Sequence, residues 1–154
     1  MSITNEALDV VYEVLNKYIN ESLNELQRPS CDVRTQLEDK ITKNLVVIEE
    51  IDNRISSATT RYEQTISALS FEINIYCPND IVTKKEIDGK EQIIAISKME
   101  QARELRKLVD EVMGGYYKMQ RTFCQPTPNI DNTIYRITMR YGVRVNDNKL
   151  KFRI

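Results

Sequence analysis

The sequence predicts an α+β fold: an antiparallel sheet of about four strands, with a mixed edge allowed, packed on one face by two main helices. Three observations predict it. Two long segments repeat apolar residues at the helical period, and two others alternate apolar and polar residues in the manner of half-buried strands. Strands and helices do not alternate as regular βαβ units, which removes the main reason to expect a parallel sheet. With 154 residues, 41% of them hydrophobic, and a formal net charge of −1, residues 1–154 are read as one domain able to bury a core without staples. The same figures exclude a disordered chain and a disulfide scaffold.

The first helix is expected over residues 4–27. Ala7, Val11, Val14, Tyr18 and Ser22 form one line, with Leu8, Leu15, Ile19, Leu23 and Leu26 beside it. Thr4 is a candidate N-cap, and Arg28-Pro29-Ser30 ends the helix because the residue before proline avoids the helical region. Residues 44–52 (NLVVIEEID) form a β-branched strand, and residues 53–60 are read as a polar connection or frayed strand end. In residues 69–77 the apolar set Leu69, Phe71, Ile73, Ile75 and Cys77 alternates with Ser70, Glu72, Asn74 and Tyr76, a period of two with one buried face.

Residues 81–96 support two readings. Asp88-Gly89 between IVTKKEI and KEQIIAI is a hairpin signal, whereas a loop entering a helix near Lys90 fits the downstream pattern and is favoured. A helix is expected from about Gln92 to Met113, carrying Ala95, Ala102, Leu105, Leu108, Val109 and Val112 on one side, with Gly114-Gly115 as a left-handed cap. Residues 116–124 form a strand, residues 125–131 a proline-spaced link, and residues 133–145 the strongest alternation in the chain. There Tyr135, Ile137, Met139, Tyr141, Val143 and Val145 oppose Arg136, Thr138, Arg140, Gly142 and Arg144. Residues 146–148 are a turn, and residues 149–154 a short strand or tail.

Several chemistries are disfavoured. The chain has no histidine, so it lacks an imidazole ligand and any Ser–His or Cys–His pair. Cys31, Cys77 and Cys124 have no zinc-ligand spacing and are read as reduced, space-filling thiols of a cytosolic protein. Glu49 and Glu50 are adjacent on a strand, so they are expected on opposite faces and not at one substrate. No cofactor fingerprint is present. A pI near 5.7 disfavours a dedicated nucleic-acid binder, although a local basic patch is compatible with a neutral total. No apolar run is long enough to span a membrane, and the first twenty residues lack the pattern of a signal peptide. No catalytic, metal or cofactor residue is assigned.

One constellation stands out. If the strands at 69–77 and 133–145 are neighbours, the sheet face away from the helices carries Glu72 and Asn74 beside Arg136, Arg140 and Arg144. Residues four apart on a strand stand roughly 13–14 Å apart, too wide to clamp one small anion but suited to a series of ion pairs. A solvated face kept non-sticky by charge is the plain alternative.

The blocks VVIEEIDNR (46–54), LSFEINIYC (69–77), LVDEVMGGYYKMQRT (108–122) and PTPNIDNTIYRITMRYGVRV (126–145) resemble, in that order, the tail completion or tail terminator proteins of long-tailed bacteriophages. These proteins are also called head-to-tail joining or minor capsid proteins. The similarity runs from about Val46 onward, and the last block is its most specific part. The resemblance implies a non-enzymatic virion protein of the tail and neck, assembled in the host cytoplasm. It implies a self-assembled ring, commonly a hexamer, on the head-proximal end of the tail tube. There it ends tube growth, contacts the tail tube protein and the head connector or stopper protein, and lets DNA pass only as cargo. Segment 78–92 departs from the family pattern by its length. Glu72, Arg136, Arg140 and Arg144 become candidate inter-subunit or lumen contacts. The alternative is a small adaptor or assembly chaperone that grips a partner through its N-terminal amphipathic helix.

Overall fold

The computed structural model describes residues 7–37, 40–58 and 65–146. Its elements are α1 (Ala7–Glu25), β1 (Asp32–Arg34), β2 (Leu45–Ala58), β3 (Thr65–Cys77), β4 (Ile81–Ile87), β5 (Lys90–Ile96), α2 (Lys98–Asp110), β6 (Gln120–Pro126) and β7 (Tyr135–Asn146). A π-helical turn, Glu111–Tyr116, joins α2 to β6. Five strands form one sheet in the order β1-β2-β3-β7-β6, while β4 and β5 pair as a separate hairpin. The α+β class is as expected. The sheet pairs antiparallel apart from β1, which adds a three-residue parallel edge to β2.

Both helices lie on one sheet face, as the periodicities predict. α1 buries Ala7, Val11, Leu15, Ile19 and Leu23, an i, i+4 line that takes Leu15, Ile19 and Leu23 from the row beside the one headed by Ala7. α2 buries Ala102, Leu105, Leu108 and Val109. Against them stand Val46 and Ile48 of β2, Leu69, Phe71, Ile73, Ile75 and Cys77 of β3, and Ile137, Met139 and Tyr141 of β7. Each large side chain moved from water into this layer contributes about 1.5–3 kcal/mol, so the alternation in β3 and β7 fixes which face turns inward. Two further contacts set the helices: Arg28 grips Glu104 through Nε and Nη2, both at 3.2 Å, and the buried Tyr141 hydroxyl donates to Asp110 at 2.7 Å.

Several boundaries differ from expectation. Residues 81–96 form a hairpin, not a loop and helix start. Asp88 (φ 54°) and Gly89 (φ 75°) supply the two positive φ values of a type I′ turn. The helix then begins only at Lys98, where the Ser97 side chain accepts from Glu100 N–H at 3.2 Å. Gly114-Gly115 do not cap it. The chain widens into the π-turn, Tyr117 N–H donates to Val112 O at 3.0 Å, and the left-handed residue is Lys118 (φ 59°). The next strand therefore starts at Gln120, not 116, and runs on to Pro126, shortening the proline link. β2 extends through Ala58, so of the two readings for residues 53–60 the loop is excluded and residues 53–58 continue the strand. β1 was not expected at all, so the sheet has five strands where about four were predicted. Thr4, residues 59–60, residues 147–148 and the 149–154 tail lie outside the described residues.

Candidate functional site

Strand register assembles the predicted charged face. Glu49 of β2 stands opposite Glu72 of β3, and Glu72 opposite Arg140 of β7. Arg140 Nε donates to Glu72 Oε1 at 3.0 Å, and its guanidinium lies 5.2 Å from the Phe123 ring centroid. The result is a row of charges that crosses the strands and borders an open cleft of about 570 Å³, with Glu50, Ser70 and Thr122 at its rim. Glu49 and Glu50 fall on opposite faces, as expected: Glu49 stands opposite Glu72, and Glu50 opposite the inward-facing Phe71. A bulge follows, where the register shifts between Glu50 and Asp52.

The four predicted residues do not act alike. Glu72 and Arg140 are brought together. Arg144 is exposed and pairs in register with Ala68. Arg136 is built into the structure instead: its Nε and Nη2 donate to Asn74 Oδ1 at 3.0 and 2.8 Å, and Nη1 to Pro128 O at 3.3 Å. Its guanidinium also sits 5.5 Å from the Tyr76 ring centroid. Asn74 Oδ1 accepts from Thr138 as well, at 2.7 Å, and both Asn74 and Thr138 are buried. The expectation of a wholly polar face is thus corrected. Leu45, Val47 and Tyr76, flanked by Ile41 and Ile134, form a small second apolar cluster that covers one end of it. Burial pushes the Tyr76 phenol above its usual pKa, partly offset by Arg136.

Three other surfaces carry chemistry that the sequence reading did not single out. Residues 82–95 of the β4–β5 hairpin are exposed throughout, including Val82, Ile87, Ile93 and Ile94. A mainly apolar groove of about 280 Å³ runs between α1 and the π-turn, lined by Val14, Tyr18, Val112 and Tyr116 with Lys17, Glu21 and Glu111. In it the Tyr18 hydroxyl donates to Glu111, and that hydrogen bond, then burial, raises the Tyr18 pKa. Arg103, Arg106 and Lys107 of α2 meet Arg121 and Asp110 around a third cleft. The helix and the strand that supply these residues were both expected, but their meeting at one cleft depends on tertiary packing and was not legible in the sequence.

Cys31 and Cys77 are buried free thiols. Burial pushes Cys77 up to about 12 and Cys31 higher still above its usual value, so neither is a thiolate near neutral pH. Among the described residues no group of three or more Cys, Asp or Glu side chains is placed to hold a metal ion, and no helix is long and apolar enough to cross a membrane. No family model matches the chain, and no curated protein matches it significantly.

Proposed function

We propose that this chain is a structural subunit of a tailed bacteriophage, which forms a ring at the head-proximal end of the tail tube, ends tube growth and joins the tail to the head connector. The observation that carries the reading is the β4–β5 hairpin. Two-stranded hairpins are marginal in water on their own, yet this one exposes both faces over residues 82–95, including four large aliphatic side chains. Such a projection fits a contact completed by another molecule. The hairpin, residues 81–96, overlaps segment 78–92, where the chain departs in length from the tail-terminator pattern.

The charged row supports the same reading. Glu49, Glu72 and Arg140 present two acidic side chains and one basic side chain in a row on a rigid sheet, suited to a wet protein–protein contact or a lumen wall. The adaptor reading loses its main feature, because the principal apolar line of α1 is buried in this chain's own core. The flank with Val14 and Tyr18 lines an open groove.

Sedimentation analysis over a wide concentration range tests ring formation, with the purified chain alone and with the tail tube protein. A closed ring gives one discrete mass at a fixed multiple of 18.0 kDa. A stable 1:1 complex with an unrelated partner and no self-association would instead support the adaptor.

A further inference from the structure

Two unpartnered surfaces on this chain are complementary to each other. The first is one face of the hairpin. Register pairs Thr83 with Ile94, Lys85 with Gln92 and Ile87 with Lys90, so alternation places Lys85, Ile87, Lys90 and Ile94 on one side. Ile87 and Ile94 are 44% and 37% exposed, and among the described residues neither lysine makes an ion pair. The opposite side also carries exposed aliphatics, Val82 and Ile93, but its charges are mixed: it holds Lys84, Glu86 and Glu91, with Lys84 already bridged to Glu91 at 3.7 Å. The first face is therefore apolar and purely basic.

The second surface is the groove between α1 and the π-turn. Its walls are Val14, Tyr18, Val112 and Tyr116, and its charges are Glu21 and Glu111 against the single cation Lys17. It is apolar and net acidic. Tyr18 and Tyr116 remain 37% and 53% exposed, offering ring surface with a polar tip of the kind enriched at contacts.

Placement decides how the two can meet. The hairpin ends at Ile96, immediately before α2, and the groove is built partly from Glu111 and Val112, immediately after it. The 13 residues of α2 separate arm and groove by roughly 20 Å at 1.5 Å per residue. The arm's root is also fixed. Buried Gln101 donates to Asn79 O at 2.9 Å and Ile96 O at 3.0 Å, and Asp80 accepts from Lys98 N–H at 2.9 Å.

We propose that the Lys85/Ile87/Lys90/Ile94 face of one copy seats in the α1–π-turn groove of the next, with the two lysines meeting Glu21 and Glu111. Such a contact is heterologous: each copy uses different surfaces to face its two neighbours, which closes a ring when the rotation per step permits. The inference rests on the ring-subunit reading and names the contact that builds it.

The test uses an arm variant, I87E/I94E, and a groove variant, E21K/Y116K, each checked for an unchanged thermal melt because the altered side chains are exposed or at the surface. Sedimentation of the wild-type chain is expected to show mass rising with concentration. Each variant alone should need roughly tenfold or more protein to reach the same mass. Mixed one to one, the variants should form a dimer and stop there, since one intact arm and one intact groove make a single contact. Variants that assemble like the wild type overturn the arm-to-groove contact and leave the ring to another surface. A wild-type chain that stays monomeric also overturns it, as does an arm variant that fails only at tube ends. In both of those cases microscopy of tube ends still decides the ring reading.

Discussion

The five-stranded sheet and the β4–β5 hairpin are written in similar sequence, yet one is the core of the molecule and the other is exposed along its length. Leu69, Phe71, Ile73 and Ile75 of β3 are at most 1% exposed, while Val82 and Ile93 of the hairpin are 64% and 67% exposed. Strand propensity makes both. What separates them is the layer above: α2 packs on β3 and β7 and α1 on β1 and β2, whereas among the described residues no helix packs on β4 or β5. The hairpin also carries Lys84, Lys85, Glu86, Lys90 and Glu91 on both of its faces, so neither face can be dry. Apolar strand residues thus stabilise the fold in one region and remain available for contacts in the other.

The contrast breaks first at Phe71. Phe71→Ala leaves a cavity in the main core and should cost about 3–5 kcal/mol, read by urea unfolding; a cost below 1 kcal/mol would contradict the packing described. Alkaline pH should act next. Buried thiols and phenols keep their protons when the unfolded chain loses them, as with Cys77 and Tyr117, both pushed by burial to about 12. Stability is therefore full below about pH 9 and falls by a few kcal/mol as pH rises toward about 12. Denaturation midpoints across that range check it, and Cys77→Ala should make the fall shallower.

Asn74→Ala removes the acceptor shared by Arg136 and Thr138 and should cost about 1–3 kcal/mol, measured by the same unfolding curves. Arg140→Gln breaks the Glu72 pair and the contact over the Phe123 ring, both at a half-exposed side chain, so its cost should lie within about 1 kcal/mol and shrink in high salt. Smallest of all, Ile93→Ala should shift monomer stability by no more than about 0.5 kcal/mol. A larger loss would mean that the hairpin packs on the domain after all.

Legibility followed the same division. In β3 and β7 the sequence alternation is strict, so their inward residues could be read from spacing; Glu–Arg pairs followed only if the two strands were neighbours, and the register that joins Glu72 to Arg140 came from the structure. The hairpin was harder because its isoleucines also fit the apolar line of the following helix; the Asp88-Gly89 turn and the Ser97 cap decided between the two. The π-turn left no periodic signature, and Gly114-Gly115 imitated a cap. β1 is three residues long, too short for any pattern. Within the site, Arg136 was legible as part of a row but not as a donor to the buried Asn74, because that depends on the apolar plug of Leu45, Val47 and Tyr76 beside it.

Electron microscopy of tail tubes assembled with and without this chain tests the central claim most directly. The account predicts a ring of added density at one end of each tube and shorter tubes when the chain is present during growth. Tubes of unchanged length with both ends bare, at protein concentrations well above that of tube ends, would contradict it.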